Sequence, residues 1–376
     1  MKKLMMVILM LVLVATACSP IFKPFNNGCG DGSCSGPENG STCPTDCPVS
    51  GAAPSVTSPV SDAGTDIVTA ELVPGAAADA KPVLMIGFML HLEGWNDAQN
   101  QARFTEHIQI ARDYASLFEE YGAKITFETK DVTEGILKWG DNVLLELQQR
   151  GHGIGVHADE GGDRDYDECA GFAEVLAEEK AQLESLGVTV LHASGVVSKC
   201  DWVTATAQAG FQFVTGTVSY AAMSLSADLR PPEYSNCVTP SKCHDVFPTE
   251  LEDRIHPWRA DDGSNWVLDD PHGQLVILSA SQGLTCMQEQ LSPSGKTGSC
   301  IFAQADIAAY IQQLEQALSL AEPGKVNIFY VGNSLGARLD MDLLEAWLQA
   351  IDPYVKSGQV QWATLPEMYQ AYIASE

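Results

Sequence analysis

The chain has 376 residues, long enough for one large domain with appendages and for a substantial core. Its 21 Lys and Arg stand against 49 Asp and Glu, a formal net charge of -28. Such a surface repels nucleic acid and anionic lipid headgroups and excludes polyanion binding; beyond that it says only that the molecule is well hydrated. In chain order, residues 1–17, "MKKLMMVILMLVLVATA", read as an export signal: two lysines, an apolar run too short to span a bilayer comfortably, then small residues before Cys18.

The stretch "VATAC" resembles a bacterial lipobox, which implies cleavage before Cys18, lipidation of that cysteine and membrane attachment through the lipid alone. Ser19 after it points to the outer membrane if the host is Gram-negative. Plain signal cleavage nearby is the alternative. Setting Cys18 aside leaves ten of the eleven cysteines, an even number in a chain headed for an oxidising compartment. Sequence proximity suggests Cys237 with Cys243 and Cys286 with Cys300, leaving Cys169 for Cys200. Zinc binding by cysteine is the weaker reading.

Residues 18–47 contain "CGDGSCSGPENGSTCPTDC", four cysteines with hardly an apolar side chain, which cannot build a core and must be stapled by disulfides. The segment resembles short cysteine-rich modules of secreted bacterial proteins. Asp31, Glu38, Asn39 and Asp46 offer oxygen ligands for calcium, although a plain disulfide knot is preferred. Residues 48–80 are rich in Pro, Ala, Ser, Thr and Val and read as an extended tether.

From Lys81 to residue 376, apolar strands alternate with amphipathic helices. "PVLMIGFML" is a buried strand and residues 101–121 a helix whose apolar stripe is Phe104, Ile108, Ala111, Ala115 and Phe118. "AKITFET", a helix over 141–150, "GIGVHA", a helix over 168–186, "VTVLHAS", a helix over 200–209 and "FQFVTGTV" follow. "QLVILSAS", a helix over 304–320, "KVNIFYVG", a helix over 340–351 and "VQWATLP" complete the pattern. Such alternation predicts a parallel sheet, and seven or eight units fit a closed or nearly closed α/β barrel better than an open sheet. Two excursions, about 226–273 and 283–300, interrupt it, each pinned by a cysteine pair.

Reactive residues of a parallel α/β barrel sit at the C-terminal strand ends. The first strand ends "HLEG" and the third "GVHADE", so His91 with Glu93 and His157 with Asp159 lie two apart, on one face if each strand persists. Two such pairs at neighbouring strand ends can converge on one divalent ion with mixed nitrogen and oxygen ligands. Glu128, His192 and Asn333 end other strands. Each histidine alone would more often be a hydrogen-bonded rim residue than a ligand. His152, after a helix and a glycine, suits capping or packing, and Asp163, Asp165, Asp167 and Glu168 read as a solvated acidic run.

"YGAKITFET" followed by "LLELQQRGHGIGVHADEGG", with "LHASGVVSKCDWVTATAQAGFQFV" and the closing "VQWATLPEMYQAYI", resembles the polysaccharide deacetylase family over most of residues 81–376. The resemblance implies a distorted (β/α) barrel of seven or eight strands, a metal that is usually zinc, and removal of acetyl groups from amino or esterified sugars. Departures accompany it. The first motif is His91-Leu92-Glu93-Gly94, closer to an Asp-x-Glu-Asp-Trp variant, with Trp95 retained. Gly161 stands where the second motif has a further histidine, His192 where the third has arginine, and Asn333 where a late histidine is usual.

The expectation is therefore a surface-anchored, metal-dependent hydrolase of carbohydrate acyl groups. His91, Glu93, His157 and Asp159 would hold the ion, most simply zinc. Glu93 or Glu128 would take the proton, and His192 would protonate the leaving group. Trp95, Trp258 and Trp266 are candidates for stacking on sugar rings, each equally suited to a core, and Asn333 for contacting substrate. Two other readings stay open: a non-catalytic lipoprotein holding glycan or peptide in the same groove, and a glycosidase using two of the carboxylates.

Overall fold

The computed structural model describes residues 82–160, 166–237, 239, 243–279, 283–285, 287–290, 301–335 and 339–376. The expected export signal, Cys18, the cysteine-rich module, the tether, the Cys286–Cys300 pair and the start of the acidic run at Asp163 lie outside them. Two expected disulfides are present, Cys169–Cys200 and Cys237–Cys243. Among the described residues no helix is long and apolar enough to cross a membrane.

The chain alternates as its pattern predicts. Strand β1 (Leu84–His91) leads to α1 (Gln101–Glu120), β2 (Ile125–Glu128), α2 (Asp131–Trp139), α3 (Val143–Gln149), β3 (Gly153–His157) and α4 (Phe172–Glu184). Then come β4 (His192–Ser194), α5 (Trp202–Gln208), β5 (Phe213–Thr215), β6 (Trp258–Ala260), β7 (Leu275–Leu278) and α6 (Met287–Gln290). The last elements are α7 (Gln304–Leu320), β8 (Asn327–Ser334), α8 (Met341–Lys356), β9 (Val360–Trp362) and α9 (Leu365–Ser375).

Local chemistry sets the boundaries. The Asn100 side chain accepts from the Arg103 N–H to start α1, and Gly122, at φ +66°, turns the chain after it. Thr364 and Glu367 form a capping box on α9, a helix the reading of "VQWATLP" as strand conceals. Helix α2 was also not expected, because Gly135 interrupts its apolar pattern. That glycine is required by packing, since a Cβ there would lie 2.5 Å from the Phe104 ring.

The strand order is β6-β7-β5-β4-β3-β2-β1-β8, with β9 paired to the first half of β1 and β2 to its second half. Every pairing is parallel except that of the edge strand β6 with β7. Among the described residues no ladder joins β7 to β8; there, the bridge Gly283 to Gly332 spans that side near the C-terminal ends, and Ile328 N–H donates to Ile255 O near the start of β8. The barrel is thus distorted and unclosed, with nine strands among the described residues against the expected seven or eight.

Alternation divides each strand. Leu84, Ile86, Phe88 and Leu90 of β1, Ile125 and Phe127 of β2, Ile154 and Val156 of β3, and Phe329 and Val331 of β8 belong to the larger cluster, against the helices. Met89, Phe213, Val276, Leu278, Ile328 and Tyr330 fill the lumen with Met368 and Tyr369 of α9. By the same parity the lumen positions nearest the C-terminal ends are His91, Glu128, His157, His192, Ser194, Thr215 and Ser334, all polar.

Candidate functional site

The C-terminal mouth of this lumen gathers the ionisable side chains. His91 Nε2 lies 3.1 Å from Glu128 Oε2, and the Thr215 hydroxyl donates to Glu128 Oε1 at 2.7 Å. His157 reaches Glu93 Oε2 with Nε2 at 2.9 Å and Ser194 Oγ with Nδ1 at 2.8 Å. The two imidazoles stack with centroids 3.8 Å apart, and Ser194 Oγ is 3.4 Å from His91 Nε2.

These contacts set the charges. The hydrogen bond from His157 holds the Glu93 carboxyl at about 2, against the opposing effect of burial. Burial alone would raise the Glu128 carboxyl, but the imidazoles of His192 and His91 hold it well below the usual range. Burial and the neighbouring His157 push His91 down. For His157, burial is outweighed by Glu93, Glu128 and Asp159, and its value rises.

Donor atoms fall into two groups sharing His157: His91, Glu128 and His157, and Glu93, His157 and Asp159, each within 4.8 Å. Two imidazoles and a carboxylate suit zinc, and the first group has its carboxylate fixed by Thr215 and one imidazole fixed by Ser194, as ligand-orienting contacts require. The donor set therefore fits a divalent ion.

The expected four ligands do not form a single group, because neither H-x-carboxylate pair lies on one strand face. β1 ends at His91, and Leu92 N–H turns to Glu128 O, so Glu93 reaches His157 from the loop. β3 ends at His157, and Asp159, exposed in the following loop, adopts φ +57°. Glu128, expected as a proton acceptor, is fully buried and sits instead beside His91 as a candidate ligand, whereas the Glu93 side chain keeps 32% of its exposure.

Three further expectations are corrected. His192 is fully buried, stacked on Phe213 at 4.6 Å, its Nε2 3.0 Å from Glu128 Oε1 without hydrogen-bond geometry; it lies beside Glu128 and has no path to a leaving group. Asn333 pairs in register with Leu90 and faces the helical layer, so Ser334, beside His91, is the residue of β8 at the mouth. Trp258 is buried, donating from Nε1 to Trp266 O at 2.7 Å, and Trp266 packs between it and Trp202; both belong to the core. Trp95 is half-buried and stacked on His107, a contact that does not place it among the residues of the mouth. His152 packs under α1: its Nδ1 accepts from Ile125 N–H and its Nε2 faces Glu119.

Ser194, Thr215 and Ser334 were not anticipated. Their only signal was parity, each lying two residues beyond a lumen residue of the same strand, His192, Phe213 and Gly332.

No family model matches the chain, and no curated protein matches it. Among solved structures it is similar to PuuE allantoinase, at 12% identity and a TM-score of 0.50, covering 79% of this chain and 92% of that one. A protein described as a polysaccharide deacetylase from Mycobacterium smegmatis shares 13% identity with a TM-score of 0.48, covering 79% and 93%. Another so described, from Pseudomonas aeruginosa PAO1, shares 12% with a TM-score of 0.49, covering 78% and 92%. At these identities the likeness to the allantoinase structure is one of fold alone.

Proposed function

We propose that the chain is an exported, lipid-anchored hydrolase that removes acyl groups, acetyl foremost, from carbohydrate with the help of a divalent ion, zinc by its donor set. The observation that carries this reading is the convergence of His91, Glu128, His157 and Glu93 at the C-terminal mouth of the barrel.

His91, Glu128 and His157 would hold the ion. When bound, it supplies Lewis-acid polarisation of the acyl carbonyl. Thr215 keeps Glu128 in place and Ser194 keeps the ring of His157 in plane. Glu93, whose side chain is partly exposed above this group, would be the proton acceptor of the site, taking a proton from the attacking water and returning it to the leaving sugar oxygen or nitrogen. A non-catalytic glycan-binding reading is favoured by one observation, that both ring nitrogens of His157 already have partners within the protein; it predicts binding without acetate release.

Metal analysis of the purified protein tests the site. The wild type and His152→Ala should carry one equivalent, and His157→Ala none while remaining folded. Acetate release from acetylated xylan or N-acetylglucosamine oligomers should vanish with chelation and return with zinc. Stoichiometric metal in His157→Ala would refute the assignment. For the anchor, Cys18→Ser should move the protein out of the membrane fraction.

A further inference from the structure

The backbone beside the site is held from one short turn. Strand β2 ends at Glu128, and the two residues after it, Thr129 and Lys130, each reach a neighbouring strand end. Thr129 Oγ1 donates to Leu92 O at 3.0 Å, one residue before Glu93. Lys130 Nζ donates to Ala158 O at 2.7 Å, one residue after His157. On its other side the exit of β3 is tied to the exit of β4, with Ala158 N–H donating to Ser194 O at 3.0 Å and Glu160 N–H to Gly195 O at 3.1 Å. Gly195 is required there, since a Cβ would lie 2.7 Å from Asp159 N and 3.2 Å from His157 Cε1. The backbone of β2 reaches β3 through Thr129 N–H to Gly155 O at 3.1 Å, still two residues short of His157. The exit of β3 is thus fixed through backbone on the β4 side and by a lysine side chain on the β2 side. The ammonium also donates to Glu160 Oε1 at 2.9 Å and to Glu179 Oε1 at 3.3 Å, which with Ala158 O gives three acceptors for its three donors.

We propose that Lys130 is a positioning residue of the site, holding His157 at its separation from Glu128 and, through Thr129, from Glu93. The path from Glu128 along the chain to Lys130, across to Ala158 and back to His157 is a closed bridge between two proposed ligands. Thr129 extends that bridge to Leu92 and so to Glu93. Contacts that orient ligands from behind carry much of the affinity of a metal site. The sign of the effect separates position from charge. A cation beside an ion site repels the ion, so loss of Lys130 acting through charge alone would tighten binding, whereas loss of position weakens it. The inference rests on the ion-binding part of the proposed function for its effect on affinity, and on the geometry alone for its effect on the metal-free protein.

Two measurements test it: zinc titrated against a chromophoric chelator, and hydrogen exchange of the metal-free protein read by mass spectrometry. Lys130→Met alone would leave the largely buried Glu179 beside Glu160 without its cation, so the change is made in a Glu179→Gln background. That background keeps the Ala158 contact and should bind zinc within about twofold of wild type. Adding Lys130→Met should raise the zinc Kd about tenfold, and Lys130→Arg, which restores a donor, should stay within about threefold of the background. In metal-free protein the amides of Ala158 and Glu160 should exchange several-fold faster with Lys130→Met while α1 and α7 are unchanged, a locality that general destabilisation would not give. Unchanged or tighter zinc binding, or exchange over residues 158–160 equal to that of the background, overturns the positioning role. If the wild type binds no zinc, the ion-site reading falls, and the exchange comparison alone decides whether Lys130 holds the exit of β3.

Discussion

Gly155→Ala probes the least visible part of the site. The β-strand backbone accepts alanine, but the new Cβ would stand 2.2 Å from His192 Nε2, 2.4 Å from Cε1 and 2.7 Å from Cδ2. The imidazole cannot retreat, because its other face is stacked on Phe213 at 4.6 Å and Phe213 in turn on Tyr369 at 4.8 Å. Overpacking of this kind costs about 2–3 kcal/mol, which for a domain of this size lowers Tm by roughly 4–8 °C. Displacing His192 also removes a neighbour of Glu128 and so disturbs the proposed ligand beside His91. Differential scanning calorimetry of Gly155→Ala, His192→Ala and the double variant measures the coupling. The double variant should be more stable than the sum of the single changes requires, since the alanine methyl enters the space the ring vacates. Additive losses, or a Tm for Gly155→Ala within about 1 °C of wild type, would show that the two residues are not packed as described.

His152, pushed by burial to about 4, binds its proton more weakly folded than unfolded. Its contribution is present above about 6.5 and lost as pH falls toward about 4, up to about 3 kcal/mol, and denaturant melts of His152→Asn should show that acid sensitivity reduced. Glu179 behaves oppositely: burial pushes its carboxyl up to about 7, so stability is lost as pH rises from about 4.5 through about 7, and Glu179→Gln should be more stable than wild type at pH 8 with little difference at pH 4. Loss of Cys169–Cys200, which closes 31 residues, should cost about 3–4 kcal/mol by chain entropy, read as a Tm drop of the Cys169→Ala, Cys200→Ala double variant relative to wild type, both without reductant.

Much of the barrel was legible because its strands are buried on both faces and read as short apolar runs bounded by Gly and polar residues, while α1 and α7 declare themselves by helical spacing. What escaped was short or atypical: α2 with Gly135 in its middle, β6 with three residues, and α9 behind Pro366. At the site, the residue types were visible but their depth was not. Sequence places His192 at a strand end, yet register aligns His157 with Ser194 and His192 with Phe213, which sets His192 one layer lower and seals it. Asn333 is the reverse case. Its parity with Phe329 and Val331 was present in the sequence, and the motif resemblance drew attention to the wrong neighbour. The H-x-carboxylate pairs failed for a third reason, since strand persistence beyond His91 and His157 depends on hydrogen bonds to neighbouring strands that no local pattern encodes.

The vertical position of a carboxylate decides what it can do here. The lumen below the mouth is apolar, lined by Met89, Phe213, Val276, Leu278 and Tyr330, so charges resting on it interact more strongly than they would in water. Glu128 is fully buried within this layer, bonded to Thr215 and His91 and lying beside His192; such a group holds its charge firmly but exchanges no proton with solvent. Glu93 has the same chemistry at the level of the loop, partly exposed and reached by a single imidazole. One can hold an ion and the other can move a proton. The division follows from strand register and from where β1 stops, which is why two residues of one kind take different parts in the proposed chemistry.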